Sequence, residues 1–152
     1  VNPASGLVFL DASVLVAASR SPSGGSAVCL EVCQGTAYRA ALSTAVLLEA
    51  RRNVAEKFGE TELLRLYRQL AGLDPVMVPP PSQELLERCV PLTTEKDAHV
   101  LAAALACQAK CLLTLNKQHL LTDLVQSANL SVQMLTPGDF LNEVVRKHDQ
   151  PA

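Results

Sequence analysis

The 152-residue sequence contains no tryptophan and only two tyrosines and three phenylalanines. Modules that read single-stranded RNA by stacking bases on an aromatic sheet need more than this, so that class is excluded. There is no excess of one charge either: 13 Lys plus Arg stand against 15 Asp plus Glu, a formal net charge of -2. A field that gathers polyanions over the whole molecule is therefore absent, and any nucleic-acid contact has to come from a local arrangement. Long hydrophobic runs are missing as well. The longest, from Val100 to Cys107, falls far short of the roughly 20 residues that cross a bilayer. The first residues carry no basic stretch and Asp11 interrupts the apolar segment near them, so no secretory signal is expected.

What is present points to a packed domain. Apolar residues make up 49% and charged residues 18%, which excludes intrinsic disorder. The length suits one core, so a single domain spanning 1–152 is expected. Five cysteines form an odd set without the spacing of a small disulfide scaffold, which suits a reducing, cytoplasmic setting. Cys29/Cys33 and Cys107/Cys111 are spaced i,i+4, unlike the CxxC of most zinc modules, and no histidine recurs at ligand spacing. They read as small core residues.

Hydrophobic patterning divides the chain into alternating strands and helices. Gly6 to Leu10 reads as a strand buried on both faces, with Ser13 as the cap of a helix from Val14 to Ser19. Ser21 to Gly25 is a loop, and Ser26 to Gln34 has helical spacing up to Gly35. Tyr38 to Leu42 predicts a strand. Ser43 or Thr44 caps a long helix carrying Val46, Leu47, Val54 and Phe58. The helix from Thr61 has Leu63, Leu64, Leu66, Tyr67 and Leu70 on its apolar side, with Arg65 and Arg68 facing away. Val76 to Val78 is a minimal strand before three prolines. Ser82 caps a helix to about Arg88, and Thr94 precedes one from Glu95 to Cys107. Cys111 to Thr114 is a strand, then a helical turn around Lys117 to Leu121. Ser131 to Leu135 is the last strand, and Thr136-Pro137 opens a helix to about Val145. Apolar strands between helices imply an α/β fold, a three-layer α/β/α arrangement around a parallel sheet.

In such sheets the functional crevice lies beyond the carboxyl ends of the strands. That rule selects polar residues just after strands: Asp11 after the first, and Asn116 after the strand ending near Thr114. Asp97 lies in the first turn of the Glu95 helix, where the helix dipole alone accounts for an acid. Asp11 also suits an ordinary cap. Glu49 is flanked by Leu47, Leu48 and Ala50, which gives a lone carboxylate less structural reason to be there.

Four segments, LVFLDASVLVAA, ALSTAVLLEARRNV, EKDAHVLAAALACQAKCLLTLNKQHLL and VQMLTPGDFLNEV, resemble the successive motifs of the PIN domain. The likeness is to its toxin-like, VapC-like members, regarded as the toxin components of toxin–antitoxin pairs. It runs in order from about Leu7 to Val145. The resemblance implies a five-stranded parallel sheet between helices and a small metal-dependent nuclease with an acidic pocket. By motif position the pocket would be formed by Asp11, Glu49 and Asp97, ligands for Mg²⁺ or Mn²⁺, with Asn116 as a fourth catalytic position. Hard oxygen ligands suit these ions. The ion would orient and acidify a water for attack on an RNA phosphodiester, leaving 5′-phosphate and 3′-hydroxyl ends. Ser13 and Thr114 stand where hydroxyls support the metal site in such proteins. A small antitoxin that inserts basic residues into the groove, and a homodimer through the apolar Leu63 to Leu70 helix, are also implied.

The sequence departs from the pattern after the fourth strand. The motif usually reads Thr-Gly-Asp with another Asp two residues on; here it is Thr114-Leu115-Asn116-Lys117-Gln118. Both acids are amides, so one divalent ion is expected rather than two. Leu115 in place of Gly removes backbone freedom beside the site. Lys117 is expected near the pocket mouth. Arg51, Arg52, Lys57, Arg65 and Arg68 give the central helices a basic side, read first as a solvated face balanced by Glu56, Glu60 and Glu62. Neither His99 nor His119 has a partner at metal spacing.

Three functions follow. The first is a Mg²⁺/Mn²⁺-dependent endoribonuclease of toxin type. The second is a catalytically weakened PIN module that binds RNA or a protein partner, as the amides at 116 and 118 suggest. The third is a phosphoacceptor receiver domain, which needs paired acids after the first strand; this chain has Asp11 alone.

Overall fold

Apolar runs without alternation become strands here because both of their faces are covered. The computed structural model of the protein describes residues 6–149; positions 1–5 and 150–152 of the expected domain lie outside the described residues. Five strands form one sheet: β1 (Leu7–Leu10), β2 (Arg39–Ser43), β3 (Val76–Val78), β4 (Cys111–Leu113) and β5 (Gln133–Leu135). Their order is β3-β2-β1-β4-β5, and every neighbouring pair is parallel. Val8 to Leu10, Ala40 to Leu42 and Cys111 to Leu113 are all buried, as a sheet covered on both sides requires.

The helices are α1 (Ala12–Arg20), α2 (Gly25–Val32), α3 (Thr44–Lys57), α4 (Glu60–Leu73), α5 (Gln83–Cys89), α6 (Glu95–Ala106), α7 (Asp123–Ser127) and α8 (Pro137–His148). Helices α1 to α4 pack on one another with α8 against α2, while α5 packs on α6. The fold is the expected α/β arrangement, a five-stranded parallel sheet flanked by helices. The chain winds from β1 outward to β3, then returns across the sheet to β4 on the other side of β1. The direction reverses between β1 and β4, and a crevice opens beyond the carboxyl ends of strands at such a point. Asp11 and Thr114 are the first residues past these two strands. The backbone N–H of Asp11 donates to the Leu113 carbonyl at 3.0 Å, which fixes the two exits side by side.

Local details differ from the sequence reading in three places. Asp11, not Ser13, caps α1, because its carboxylate takes the first free N–H while the Ser13 hydroxyl is directed elsewhere. Residues 117–121 form a turn, and the helix follows at α7, where the Thr122 hydroxyl accepts from the Val125 N–H. On α4, Leu64 and Tyr67 are exposed, whereas Arg65 donates to the Ser19 carbonyl at 2.6 Å. The α4–α1 contact is thus partly polar, and the apolar stripe is narrower than its composition suggests.

All five cysteines are free. Burial pushes the thiols of Cys29, Cys33 and Cys111 up to about 12, so they stay protonated and pack as small hydrophobes. Gly6, at the entry to β1, is a position where a side chain has no room. A Cβ there would meet the Ala37 carbonyl oxygen at 2.4 Å.

Candidate functional site

The carboxylate of Asp11 is buried at the end of β1 and accepts three hydrogen bonds. Its Oδ1 takes the Ala12 N–H at 2.8 Å. Its Oδ2 takes the hydroxyls of Ser13 at 2.8 Å and Thr114 at 2.7 Å. Each hydroxyl oxygen then accepts from the segment after β4: Ser13 Oγ from the Leu115 N–H and Thr114 Oγ1 from the Asn116 N–H, both at 3.0 Å. A single carboxylate thereby fastens the exits of two strands. Burial raises the Asp11 pKa; the hydrogen bonds from Thr114 and Ser13 oppose this, and the nearby Glu49 charge adds to it. Burial is the largest of these effects, so the hydrogen bonds around Asp11 do not fully compensate its charged form.

Asp97 is held from two sides. It occupies the first turn of α6, where Thr94 Oγ1 donates to Asp97 Oδ2 at 3.0 Å and accepts from the Asp97 N–H at 3.2 Å. From across the cleft, Asn116 Nδ2 donates to the same Oδ2 at 3.3 Å. The amide oxygen of Asn116 accepts the N–H groups of Gln118 and His119 at 3.2 and 3.0 Å, and two donors on one atom identify it as the oxygen. Asn116 is expected from the motif as a fourth catalytic position; in the fold its oxygen is committed to the turn. An Asp at 116 could close the same turn but would set a second charge against Asp97, whereas Asn supplies a donor. Asn116 is therefore a residue that orients Asp97.

Glu49 lies on the inward side of α3. Its Oε1 pairs with Lys96 Nζ at 2.7 Å, the lysine side chain being 71% exposed and the glutamate 20%. Lys96 is the residue before Asp97, and no sequence pattern singles it out. The pair joins α3 to α6 across the cleft and raises the Lys96 pKa, through the hydrogen bond and then the charge of Glu49.

Asp11, Ser13, Glu49, Asp97 and Asn116 line one open cleft of about 1070 Å³. The sequence-derived residues are thus brought together, with Thr114 supporting them from beneath. Lys117 is exposed in the turn and does not line the cleft. The lining cations are Arg20, Lys57 and Lys96. Arg20 and Lys57 occupy the last turns of α1 and α3, and Arg20 lies over the Phe58 ring at 5.3 Å, which holds it at the rim. Only Lys57 belongs to the basic side seen in the sequence. Arg20 and Lys57 each stand in the last turn of a helix, where ordinary dipole complementarity explains a cation, so the sequence carried no signal that singled them out.

Among the described residues no three Asp, Glu, His or Cys side chains stand close enough to share one ion. The donor chemistry still fits Mg²⁺ or Mn²⁺. The donors are carboxylates and hydroxyls, and Mg²⁺ commonly takes one or two carboxylates and keeps waters for its other positions. Asp11 retains an oxygen engaged by a single N–H, the Glu49 charge is felt at Asp11, and the Glu49 oxygen already holds a cation, the Lys96 ammonium. Asp11 and Glu49 would hold the ion, with Asp97 facing it from α6.

Comparison with known proteins bears on the family and the fold. The sequence profile of the PIN domain matches residues 7–118. Among solved structures, VapBC2 of Rickettsia felis bound to a DNA fragment from its promoter superposes with a TM-score of 0.64 at 16% identity, covering 86% of this chain and 98% of that one. FitAcB of Neisseria gonorrhoeae gives 0.56 at 15% identity, with the same coverage of 86% and 98%. VapC20 of Mycobacterium tuberculosis, a toxin that cleaves the sarcin–ricin loop, gives 0.52 at 12% identity, covering 81% and 95%. No protein of curated function matches the sequence.

Proposed function

The chain belongs to the PIN domain family, whose members are generally metal-dependent nucleases, and from that premise we propose that it is a Mg²⁺- or Mn²⁺-dependent endoribonuclease, the toxin component of a toxin–antitoxin pair. The observation that carries this reading is the meeting of Asp11, Glu49 and Asp97 in one cleft at the point where the sheet reverses direction. RNA as substrate is favoured over other phosphodiesters by the likeness to a toxin that cleaves the sarcin–ricin loop. It acts as a single domain in a reducing cytoplasm, consistent with five unpaired thiols. Among the described residues no helix is long and apolar enough to cross a membrane.

A bound divalent cation supplies positive charge against the scissile phosphate and makes a water more acidic. The remaining work falls to the chain. Ser13, Thr114 and the Ala12 N–H fix the Asp11 carboxylate in one orientation, so no reorganisation is needed when substrate arrives. Thr94 and Asn116 do the same for Asp97. Arg20 and Lys57 line the cleft wall formed by α1 and α3, where they attract and align the polyanion. An overall charge of -2 is no obstacle, because this attraction is local.

An antitoxin would place a basic segment in this cleft, complementary to its carboxylates. Homodimerisation uses the outer face of α4, where Leu64 and Tyr67 are exposed. A second reading, a PIN module that binds RNA or a protein without cutting, is favoured by one observation: the Asn116 oxygen is committed to its turn. The test is cleavage of a short labelled single-stranded RNA in Mn²⁺ or Mg²⁺, with EDTA as the control. The proposal expects metal-dependent cleavage that EDTA abolishes. Intact RNA at high protein concentration, with Mn²⁺ nevertheless bound, would favour the second reading.

A further inference from the structure

The Glu49–Lys96 pair has a place in the site that the fold alone does not require. Lys96 is 71% exposed, at the first turn of α6. An exposed lysine in that turn is unfavourable to the helix dipole, which prefers acids there, and an ion pair of such exposure adds little to stability. The carboxylate it holds is one of the two best placed for a divalent ion. Its ammonium thus puts a monovalent positive charge where the cation's charge is needed, and neutralises Glu49 beside Asp11, whose own charge is poorly compensated.

We propose that Lys96 is a built-in competitor of the divalent cation for Glu49: the metal-free site is closed by the lysine ammonium, and binding of Mg²⁺ or Mn²⁺ displaces it. This rests on the reading of the cleft as a metal site. The exchange breaks only a hydrogen-bonded ion pair, with no covalent step. Arg52 lies on the far side of the pair, lining with Ser43 and His99 a smaller pocket of about 240 Å³. Its positive charge opposes that of Lys96, whereas the Asp97 charge favours it, so the ammonium is held by two acids and pressed by one base. A long, exposed side chain gives way readily, and the released ammonium stays at the rim of the cleft. Lys96 is on this account a positioning residue that sets metal affinity.

Mn²⁺ binding, measured by the loss of the free-ion EPR signal in titrations without RNA, tests this directly. Lys96→Met keeps the stem and removes the charge, and Lys96→Gln is a second neutral variant. Both are expected to bind Mn²⁺ about tenfold more tightly than the unaltered protein, the scale of removing one neighbouring positive charge at a partly exposed site. In a Glu49→Gln background the same substitutions should change the affinity less than about twofold, because the competition acts through Glu49. Unchanged or weaker binding by the lysine variants, with the unaltered protein binding Mn²⁺, overturns the proposal and leaves the metal site standing. Absence of Mn²⁺ binding in every variant overturns both.

Discussion

Asp11→Asn is expected to abolish metal-dependent RNA cleavage, by about a thousandfold or more, on the scale of losing a group that stabilises charge in the transition state. The same variant, free of metal at pH 7, is expected to be as stable as the unaltered protein or more so. The two outcomes have one cause. Burial lifts the Asp11 pKa above its ordinary value, so the folded state holds the proton more tightly than the unfolded chain. The stability this contributes is fully present below the unfolded pKa near 3.8 and is lost as pH rises through the folded one. Once ionised, the group therefore opposes folding, and Asn removes its charge while keeping an oxygen for the Ser13 and Thr114 hydroxyls, at the cost of the Ala12 N–H bond to Oδ1. Urea titrations in EDTA at pH 4 and pH 7 measure this. The unaltered protein should lose stability between the two relative to Asp11→Asn. A variant markedly less stable at pH 7 would mean that the three hydrogen bonds outweigh the cost of burying the charge.

The second large effect is expected at Thr114, which is fully buried and not itself in the cleft lining. Valine has the same shape, so Thr114→Val leaves no cavity. It removes the hydroxyl that donates to Asp11 Oδ2 and accepts the Asn116 N–H. A hydrogen bond to a charged group contributes roughly 1.5–3 kcal/mol, and an N–H left without its acceptor adds to the loss, so a cost of about 2–4 kcal/mol is expected. Because the Thr114 hydrogen bond lowers the Asp11 pKa, its loss pushes that pKa further up. The hydroxyl also holds Asp11 Oδ2 in place, so Mn²⁺ affinity should fall along with stability through lost orientation, even though Thr114 is itself no proposed ligand. Denaturant unfolding and Mn²⁺ titration on the same variant check both. A change below about 0.5 kcal/mol, the range of an ordinary surface substitution, would remove Thr114 from the network.

Much of this was legible in the sequence, for physical reasons. Strands buried on both faces write themselves as unbroken apolar runs, so LVFL and CLLT could be placed to within a residue. The sheet's parallel character followed from the same fact. Asp11 and Asn116 drew notice because they follow strands, and Glu49 because an apolar helical stretch gives a lone acid little reason to be there; Asp97, which the helix dipole alone would explain, joined them only through the resemblance to the PIN motifs. The sequence did not reveal what holds them. Lys96 and Arg20 act through partners distant in the chain, Glu49 and Phe58, and nothing in local composition pairs them. The role of Asn116 was read from its oxygen, as the remnant of an acid; the fold uses its nitrogen on Asp97 and closes a turn with the oxygen. Asp11 in place of Ser13 as the α1 cap has the same origin. Both side chains are good caps, and only the arrival of β4 decides that Ser13 serves Asp11 and Leu115 instead.

The central claim is that the cleft beyond β1 and β4 is built to take a divalent cation. A crystal of the protein soaked in Mn²⁺, with anomalous diffraction measured to locate the metal, tests it most directly. An anomalous peak is expected in contact with the carboxylates of Asp11 and Glu49, at roughly the 2.0–2.6 Å of oxygen ligands to such ions, with Lys96 turned away from Glu49. Mn²⁺ found only elsewhere on the surface, with the Lys96 ammonium still on Glu49, would contradict it.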